Sequence, residues 1–333
     1  MHTAPSECGI ASVKRRFFMD FITGLISSMP GAVAQGMIWG IMAIGVYLTY
    51  KILDMADLTV DGSLCTGGAV CVILTINGCP GWIAFVAAFV AGLIAGTVTG
   101  ILHTNFGIPP ILAGILTQLA LYSINLHIMG WGTDNGSKSN LPVSVDKYSL
   151  VISSRYIREL ALNNPLIVLI IFVVITVGVL YWFFGTELGA SLRATGANGN
   201  MARAQGINTN MTKVLGLMIS NGFVALAGAL LALYLGFADV NMGRGAIVIG
   251  LAAVIIGEVV FSKLFHNFAL KMVACVLGAI IYYIVIQVVL RLGLSTDDLK
   301  LLSALVVALF LAIPFWKSKY MTKTVKKGGS ADA

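Results

Sequence analysis

The sequence predicts an all-α, polytopic bundle of membrane-spanning helices. Of its 333 residues, 58% are hydrophobic and only 11% are charged, a composition that excludes an ordinary soluble domain. The apolar residues form successive runs near the length of about 20 residues that a spanning helix needs. Charged residues fall mainly between these runs and after Trp316. We therefore expect about nine spans, within a range of about eight to ten.

Residues 1–31 form an N-terminal extension before the first predicted span. Residues 17–29 alternate aromatic with polar side chains and are too few to cross a bilayer. We expect an interfacial helix here that ends at Pro30 and Gly31.

The transmembrane domain, residues 32–316, is predicted to contain two four-span repeats joined by a central span. Its parts are repeat A (32–130), an extracytoplasmic loop (131–163) with a short helix near 154–162, the central span (164–184), a cytoplasmic loop (185–213) and repeat B (214–316). The expected spans lie at about 32–52, 58–76, 82–102 and 110–128 in repeat A, and at about 214–235, 245–261, 270–290 and 299–316 in repeat B. Residues 317–333 form a basic tail.

The positive charges predict the orientation. Most lysines and arginines of the short loops and the tail lie on one side if the C-terminus is cytoplasmic. The net charge of +7 is therefore interpreted as an orientation signal with contacts to the lipid bilayer, and no nucleic-acid partner is expected. The N-terminus would then lie outside, against the preference of Lys14, Arg15 and Arg16, which leaves the path of residues 17–30 open.

The cytoplasmic loop contains a short string of helix-forming residues. Asn198 or Asn200 can cap its start, and Gly206 suits the position after its end. A helix of one or two turns is marginal alone in water, so we expect it to bind the membrane surface or a soluble protein. The residues assigned to this contact are Asn198, Asn200, Met201, Ala202, Arg203, Ala204, Gln205 and Gly206.

Two segments that follow the first span of each repeat resemble each other. Residues 56–63 match residues 238–245 at a constant offset, so that Asp57 corresponds to Asp239. Five spans separate equivalent helices, so the copies would cross the membrane in opposite directions. In transporters, glycine-interrupted segments at such positions indicate the translocation path. The alternative is that each aspartate only caps a helix.

Polar residues in apolar surroundings are the other candidates for the path. An ionisable or amide side chain there needs a partner or water, and interhelical hydrogen bonding is the alternative role. Glu258 is interpreted as a gate contact or a structural carboxylate paired with Lys263. The path candidates are Asp57, Thr59, Asp61, Ser63, Gln118, Asn125, Asn221, Asp239 and Asn241.

The sequence shows no catalytic constellation. It has no phosphate-binding glycine loop, no H-E-x-x-H motif and no nucleophile elbow. Its cysteines and histidines lack metal-ligand spacing. We expect a transport protein that is not an enzyme and binds no cofactor or metal itself, so that any ATP is bound by another chain.

Several segments resemble the permeases of bacterial ATP-binding-cassette importers. Residues 193–198, residues 201–209 and the glycine- and alanine-rich stretch 222–228 are similar to the branch that carries branched-chain amino acids, ribose and nucleosides. Residues 57–63 look like the D-L-S-V-G-S segment of the sugar branch, with Asp61 as an additional residue. Within the group, residues 52–62, 102–104, 108–117 and 122–126 look like a subgroup of tryptophan and tyrosine permeases.

The resemblance implies a set of partners. Residues 196–209 would be a coupling helix in a groove of a cytosolic ATPase, present in two copies that carry ATP and Mg. A second permease copy, identical to this chain, would flank the path. An extracytoplasmic solute-binding protein would deliver the substrate near residues 131–160, at the bacterial inner membrane.

The substrate and the energy source have open alternatives. Asp57 and Asp61 suit an amine or hydroxyl group, and Tyr122 with Trp131 suits an aromatic ring, as in an aromatic amino acid. A nucleoside or sugar importer is an alternative, as is an ion-coupled secondary transporter. The loop at 185–213 favours the importer, because a coupled carrier needs no docking helix.

Overall fold

The computed structural model is a bundle of helices. It describes residues 7–131, 136–144, 148, 150–158, 164–261, 264–265, 267–291, 301, 303–310 and 312. Its α-helices are α1 (Glu7–Tyr47), α2 (Thr59–Ile76), α3 (Gly81–Thr104), α4 (Pro110–Met129), α5 (Pro165–Gly185), α6 (Glu187–Ala197), α7 (Gly199–Ala204), α8 (Thr209–Leu235), α9 (Ala246–Phe261) and α10 (Phe268–Arg291). A π-helical turn (Leu48–Ile52) extends α1, and a 3-10 helix covers Ser154–Arg158.

Seven of the described helices are long and apolar enough to cross a membrane. They are α1 with its π-helical turn, from Thr23 to Ile52, together with α2, α3, α4, α5, α8 and α10. The apolar helix α9 is shorter, at 16 residues. The predicted all-α polytopic bundle is confirmed. Of the predicted ninth span, residues 303–310 are helical, and most of the remainder lies outside the described residues.

The first helix differs from the prediction. The sequence predicted an interfacial helix ending at Pro30, but α1 continues through Pro30 without interruption. Proline removes one backbone hydrogen bond and crowds the preceding turn, yet neighbouring helices make this tolerable in a membrane protein. The first candidate span therefore begins at Thr23, before the predicted start at residue 32.

The loop at residues 131–163 contributes a small sheet that the sequence did not predict. Strand β1 (Asn140–Pro142) pairs antiparallel with β2 (Phe237–Asp239), with Asn140 opposite Asp239. Strands of three residues are too short for an alternating pattern to be recognised. The helix expected near residues 154–162 is a 3-10 turn over Ser154–Arg158, and residues 159–163 lie outside the described part.

The centre of the bundle consists of α1, α2 and α8. In their most apolar stretches 72–83% of the residues are buried, compared with 17% in α5. A helix with an exposed apolar surface suits a lipid environment. The central helices are therefore the ones that can enclose polar groups away from lipid.

Helix α3 packs closely against α8 through glycines, as its small-xxx-small spacing predicts. A Cβ atom at Gly92 would collide with the backbone of Asn221, and one at Gly96 with the backbone of Leu217. At Gly100 the added atom would lie 2.9 Å from the Val214 Cα atom. These positions require glycine because the two backbones are nearly in contact.

Candidate functional site

The candidate site is centred on the break between α1 and α2. The chain is not helical over residues 53–58, and Asp57 in this break is 2% exposed. Its Oδ1 atom accepts a hydrogen bond from the Thr59 backbone N–H at 2.9 Å. Its Oδ2 atom accepts one from Asn221 Nδ2 at 2.7 Å. Because Asn221 lies near the middle of α8, helix α2 begins deep inside the bundle.

Asn221 connects this break to the next turn of α2. Its Oδ1 atom accepts a hydrogen bond from the Ser63 hydroxyl at 2.6 Å, and its Nδ2 atom also donates to the Leu217 carbonyl at 3.0 Å. Exchanging the amide oxygen and nitrogen would turn an oxygen towards the Asp57 carboxylate, so the network determines the amide orientation. Three predicted path residues, Asp57, Ser63 and Asn221, therefore form one buried cluster.

A row of threonine hydroxyls extends the polar contacts across three helices. Thr59 and Thr99 are joined by a hydrogen bond of 2.8 Å, and Thr99 donates to Thr117 at 2.9 Å. All three side chains are buried. The sequence interpretation included Thr59 but missed Thr99 and Thr117. The available signal was the position of Thr99 on the glycine-rich face of α3, three residues after Gly96.

Asp61 interacts with the start of another helix. It accepts hydrogen bonds from the backbone N–H groups of Gly245, at 2.9 Å, and Ile247, at 3.0 Å. These amides belong to the N-terminus of α9, where a negative charge is favourable. The starts of α2 and α9 therefore lie near each other. Asp57 contacts the start of α2, whereas Asp61, in the first turn of α2, contacts the start of α9.

The repeat-related residues Asp239 and Asn241 do not join this cluster. Asp239 Oδ1 accepts the Asn241 backbone N–H at 2.7 Å, which is the same local geometry as Asp57 with Thr59. Its Oδ2 atom accepts from Asn140 Nδ2 at 3.3 Å. Both residues line a separate cavity of about 340 Å³. The local geometry supports helix-start or turn capping as one role of these aspartates, and the inverted repeat stays a prediction.

A second cavity, of about 240 Å³, lies between α2, α4 and the segment that precedes α9. It brings together three predicted path residues, Asp61, Gln118 and Asn125. It also includes Arg244, which the sequence interpretation did not place among the path candidates. The lining residues are Asp61, Gly62, Cys65, Gln118, Leu119, Tyr122, Asn125, Val240 and Arg244.

The short helix predicted in the loop at residues 185–213 is present as α7. Of the two proposed caps, Asn198 is the one used: its side chain accepts the Met201 backbone N–H at 3.0 Å. Gly206 has φ +82 and occupies the position after the helix end, as predicted. The Arg203 guanidinium donates to Thr209 Oγ1 at 3.0 Å and so fastens α7 to α8. Met201 is 63% exposed.

Helix α6, which the sequence did not predict, connects this loop to the break after α1. A Cβ atom at Gly196 would collide with the Ile52 carbonyl, so α6 lies directly against the end of the first span. Buried Leu192 faces the same core. Helix α6 therefore connects α7 to the end of the first span, next to the unwound segment that contains Asp57.

Glu258 pairs with Lys51, a residue that the sequence interpretation did not consider. Its Oε2 atom lies 3.0 Å from Lys51 Nζ, and both side chains are about half exposed. The predicted partner, Lys263, lies outside the described residues. The end of α9 lies beside the π-helical turn of the first span, which brings Lys51 to Glu258. Whether Glu258 also acts as a gate stays a prediction.

Spanning helices, a buried polar cluster at a break between helices, and a capped helix in the loop before α8 together define a multi-pass membrane permease. The chain matches the family model "Branched-chain amino acid transport system / permease component" over residues 28–314. It therefore belongs to this family of permeases, the class of subunit that forms the membrane part of ATP-binding-cassette importers.

Two curated proteins are similar over most of their length. A tyrosine transport system permease protein of Clostridioides difficile (strain R20291) is 42% identical over 291 residues, which is 87% of this chain and 91% of that protein. An uncharacterized protein of Rickettsia prowazekii (strain Madrid E) is 34% identical over 283 residues, covering 84% of this chain and 95% of that protein.

The fold is also similar to a solved structure. PsaBC from Streptococcus pneumoniae in complex with Fab aligns with a TM-score of 0.52 and 18% sequence identity. The alignment covers 90% of this chain and 98% of that chain. At this identity the similarity concerns the arrangement of the helices.

Proposed function

We propose that this chain forms the translocation path of an importer for an aromatic amino acid, with tyrosine as the first candidate. The observation that carries the proposal is the 42% identity to a permease of a tyrosine transport system. The identity extends over 291 of the 333 residues of this chain, so the matched part includes the break at residues 53–58.

Under this proposal, a separate cytosolic ATPase drives transport and binds α7. The short helix has a fixed start at Asn198, an anchor to α8 through Arg203, and an exposed apolar side chain in Met201. An exposed apolar side chain on a positioned helix is suited to insertion into a groove of a partner. Two ATPase copies would carry ATP and Mg, and two copies of this chain would face each other.

An extracytoplasmic binding protein would deliver the substrate to the opposite face, near residues 131–160. Pairing of β1 with β2 holds part of that loop against repeat B. The C-terminus would be cytoplasmic, in agreement with the basic residues of the tail. Under this proposal the protein would lie in the bacterial inner membrane.

Two alternatives are an ion-coupled secondary transporter and an importer of a nucleoside or sugar. Membership of the permease family disfavours an ion-coupled secondary transporter. A nucleoside or sugar importer belongs to the same class of machine, so only a transport measurement separates it from an amino acid importer.

Uptake of radiolabelled tyrosine tests the proposal. Cells lacking this chain and complemented cells are compared, with unlabelled tryptophan, leucine, ribose or adenosine as competitors. We expect uptake that depends on the chain, resists ionophores, stops when ATP is depleted and is inhibited by tryptophan. Uptake inhibited only by ribose or adenosine would overturn the aromatic substrate, and loss of uptake on ionophore addition would overturn the ATP-driven mechanism.

A further inference from the structure

The cavity between α2, α4 and the segment before α9 contains charged groups of both signs that do not pair with each other. Asp61 and Arg244 both line it. The only ion pair among the residues that the structure describes joins Lys51 to Glu258, so Asp61 and Arg244 are more than 4.0 Å apart. A cavity with separated opposite charges is complementary to a small ligand that itself carries both charges.

Asp61 and Arg244 differ in whether they already have hydrogen-bond partners. Asp61 accepts two backbone hydrogen bonds from the start of α9, which fixes its carboxylate in place. Arg244 is exposed, and its guanidinium makes no hydrogen bond or ion pair with the described residues. A guanidinium that is free on the wall of a cavity is suited to bind a carboxylate through two parallel hydrogen bonds.

A buried amide is a second, independent observation that points to a ligand. Asn125 is 1% exposed, and its Oδ1 atom is the buried side-chain polar atom that has no hydrogen-bond partner among the described residues. Its Nδ2 atom donates to the Gly62 carbonyl at 3.4 Å, so reversing the amide would place two oxygens against each other. A buried acceptor without a donor is costly, and a ligand ammonium group would satisfy it.

We propose that this cavity is a transmembrane binding site for the zwitterionic backbone of an amino acid, with Arg244 as the carboxylate-binding residue. The ligand ammonium group lies towards Asn125 Oδ1 and Asp61, and the ring of Tyr122, which also lines the cavity, contacts the ligand side chain. This inference rests on the proposed amino acid importer and goes further by naming the groups that distinguish an amino acid from an uncharged solute.

Equilibrium dialysis of the purified full chain tests the proposal. The probes are tyrosine, leucine, tyramine, which lacks the carboxylate, and ribose, which is uncharged. We expect the unmodified chain to bind tyrosine at least about tenfold more tightly than it binds tyramine. Arg244→Gln removes that difference and Arg244→Lys retains part of it. Lys271→Gln, which removes an exposed charge outside the cavity, leaves binding unchanged.

The outcomes separate this inference from the proposed function. Tyrosine binding unaffected by Arg244→Gln, equal binding of tyrosine and tyramine, or no amino acid binding at all would overturn the site, even if tyrosine uptake by intact cells persists. Binding of leucine but not tyrosine, with dependence on Arg244, would support the site and show instead that the aromatic substrate is wrong.

Discussion

The Asn221 side chain donates a hydrogen bond of 2.7 Å to the Asp57 carboxylate across the unwound start of α2. The two residues are 164 positions apart in sequence and belong to different predicted repeats. Both residues are buried. Their contact joins the halves of the bundle at the start of α2, where the first backbone N–H groups of the helix have no partner within it.

Asn221→Ala is expected to destabilise the protein by about 1–3 kcal/mol, because the Asp57 carboxylate and the Ser63 hydroxyl each lose a buried partner. Thermal unfolding in detergent measures the effect. Asn210→Ala, at an exposed position in the first turn of α8, is the matched control. Equal stability of the two variants would show that the cluster is not a structural junction.

Gly96→Val is expected to prevent close contact between α3 and α8, because the new side chain collides with the Leu217 backbone. We expect a large loss of folded protein in size-exclusion chromatography. Gly178→Val in α5 is the control, since no atom lies within 4 Å of a Cβ atom there. If both variants fold equally well, the packing described for α3 and α8 is wrong.

Asn198→Ala is expected to cost the start of α7 about 1 kcal/mol, because the Met201 backbone N–H loses its acceptor. Hydrogen exchange of the α7 amides should become several-fold faster, following the free energy of local opening. Asn200→Ala removes the other asparagine considered as a cap and should leave the exchange unchanged. Faster exchange in the second variant alone would contradict the observed cap.

Glu258→Gln is expected to change stability by less than about 1 kcal/mol, because the ion pair with Lys51 is about half exposed and therefore screened. Uptake separates the two roles considered for Glu258. A structural carboxylate predicts nearly normal uptake in Glu258→Gln. Uptake lost in this variant and recovered in the charge-exchanged pair Lys51→Glu with Glu258→Lys would identify a gate contact instead.

Much of the fold could be predicted because spans have a strong local signal. Apolar length placed α2, α3, α4, α5 and α10 within a few residues of their observed bounds, and placed the start of α8 five residues late. Pro30 was misleading, since its effect on a helix depends on neighbouring helices that the local sequence does not contain. The strands β1 and β2 pair across about a hundred residues, and nothing local indicates such a contact.

The candidate site was predictable only in part. Buried polar residues such as Asp57 and Asn221 stood out against apolar surroundings, and the structure joins them. The partners of Asp61 are backbone amides of α9, which carry no sequence signal. Arg244 was not among the path candidates, because a charged residue at the end of a loop is ordinary in a membrane protein. Its position in the cavity lining depends on how α4 packs against α2. Glu258 shows the same limit, because its partner Lys51 is 207 positions away.

The central claim is that a separate ATPase drives this permease through α7, and copurification tests it most directly. The tagged chain is purified from its native membrane, and the proteins recovered with it are identified by mass spectrometry. Met201→Glu changes the exposed face of α7, and Trp131→Glu, an equally exposed position beyond the end of α4, is the control. We predict that the unmodified chain and the Trp131 variant retain an ATPase and that the Met201 variant loses it. Recovery of the chain without an ATPase, together with uptake that depends on an ion gradient, would contradict the claim.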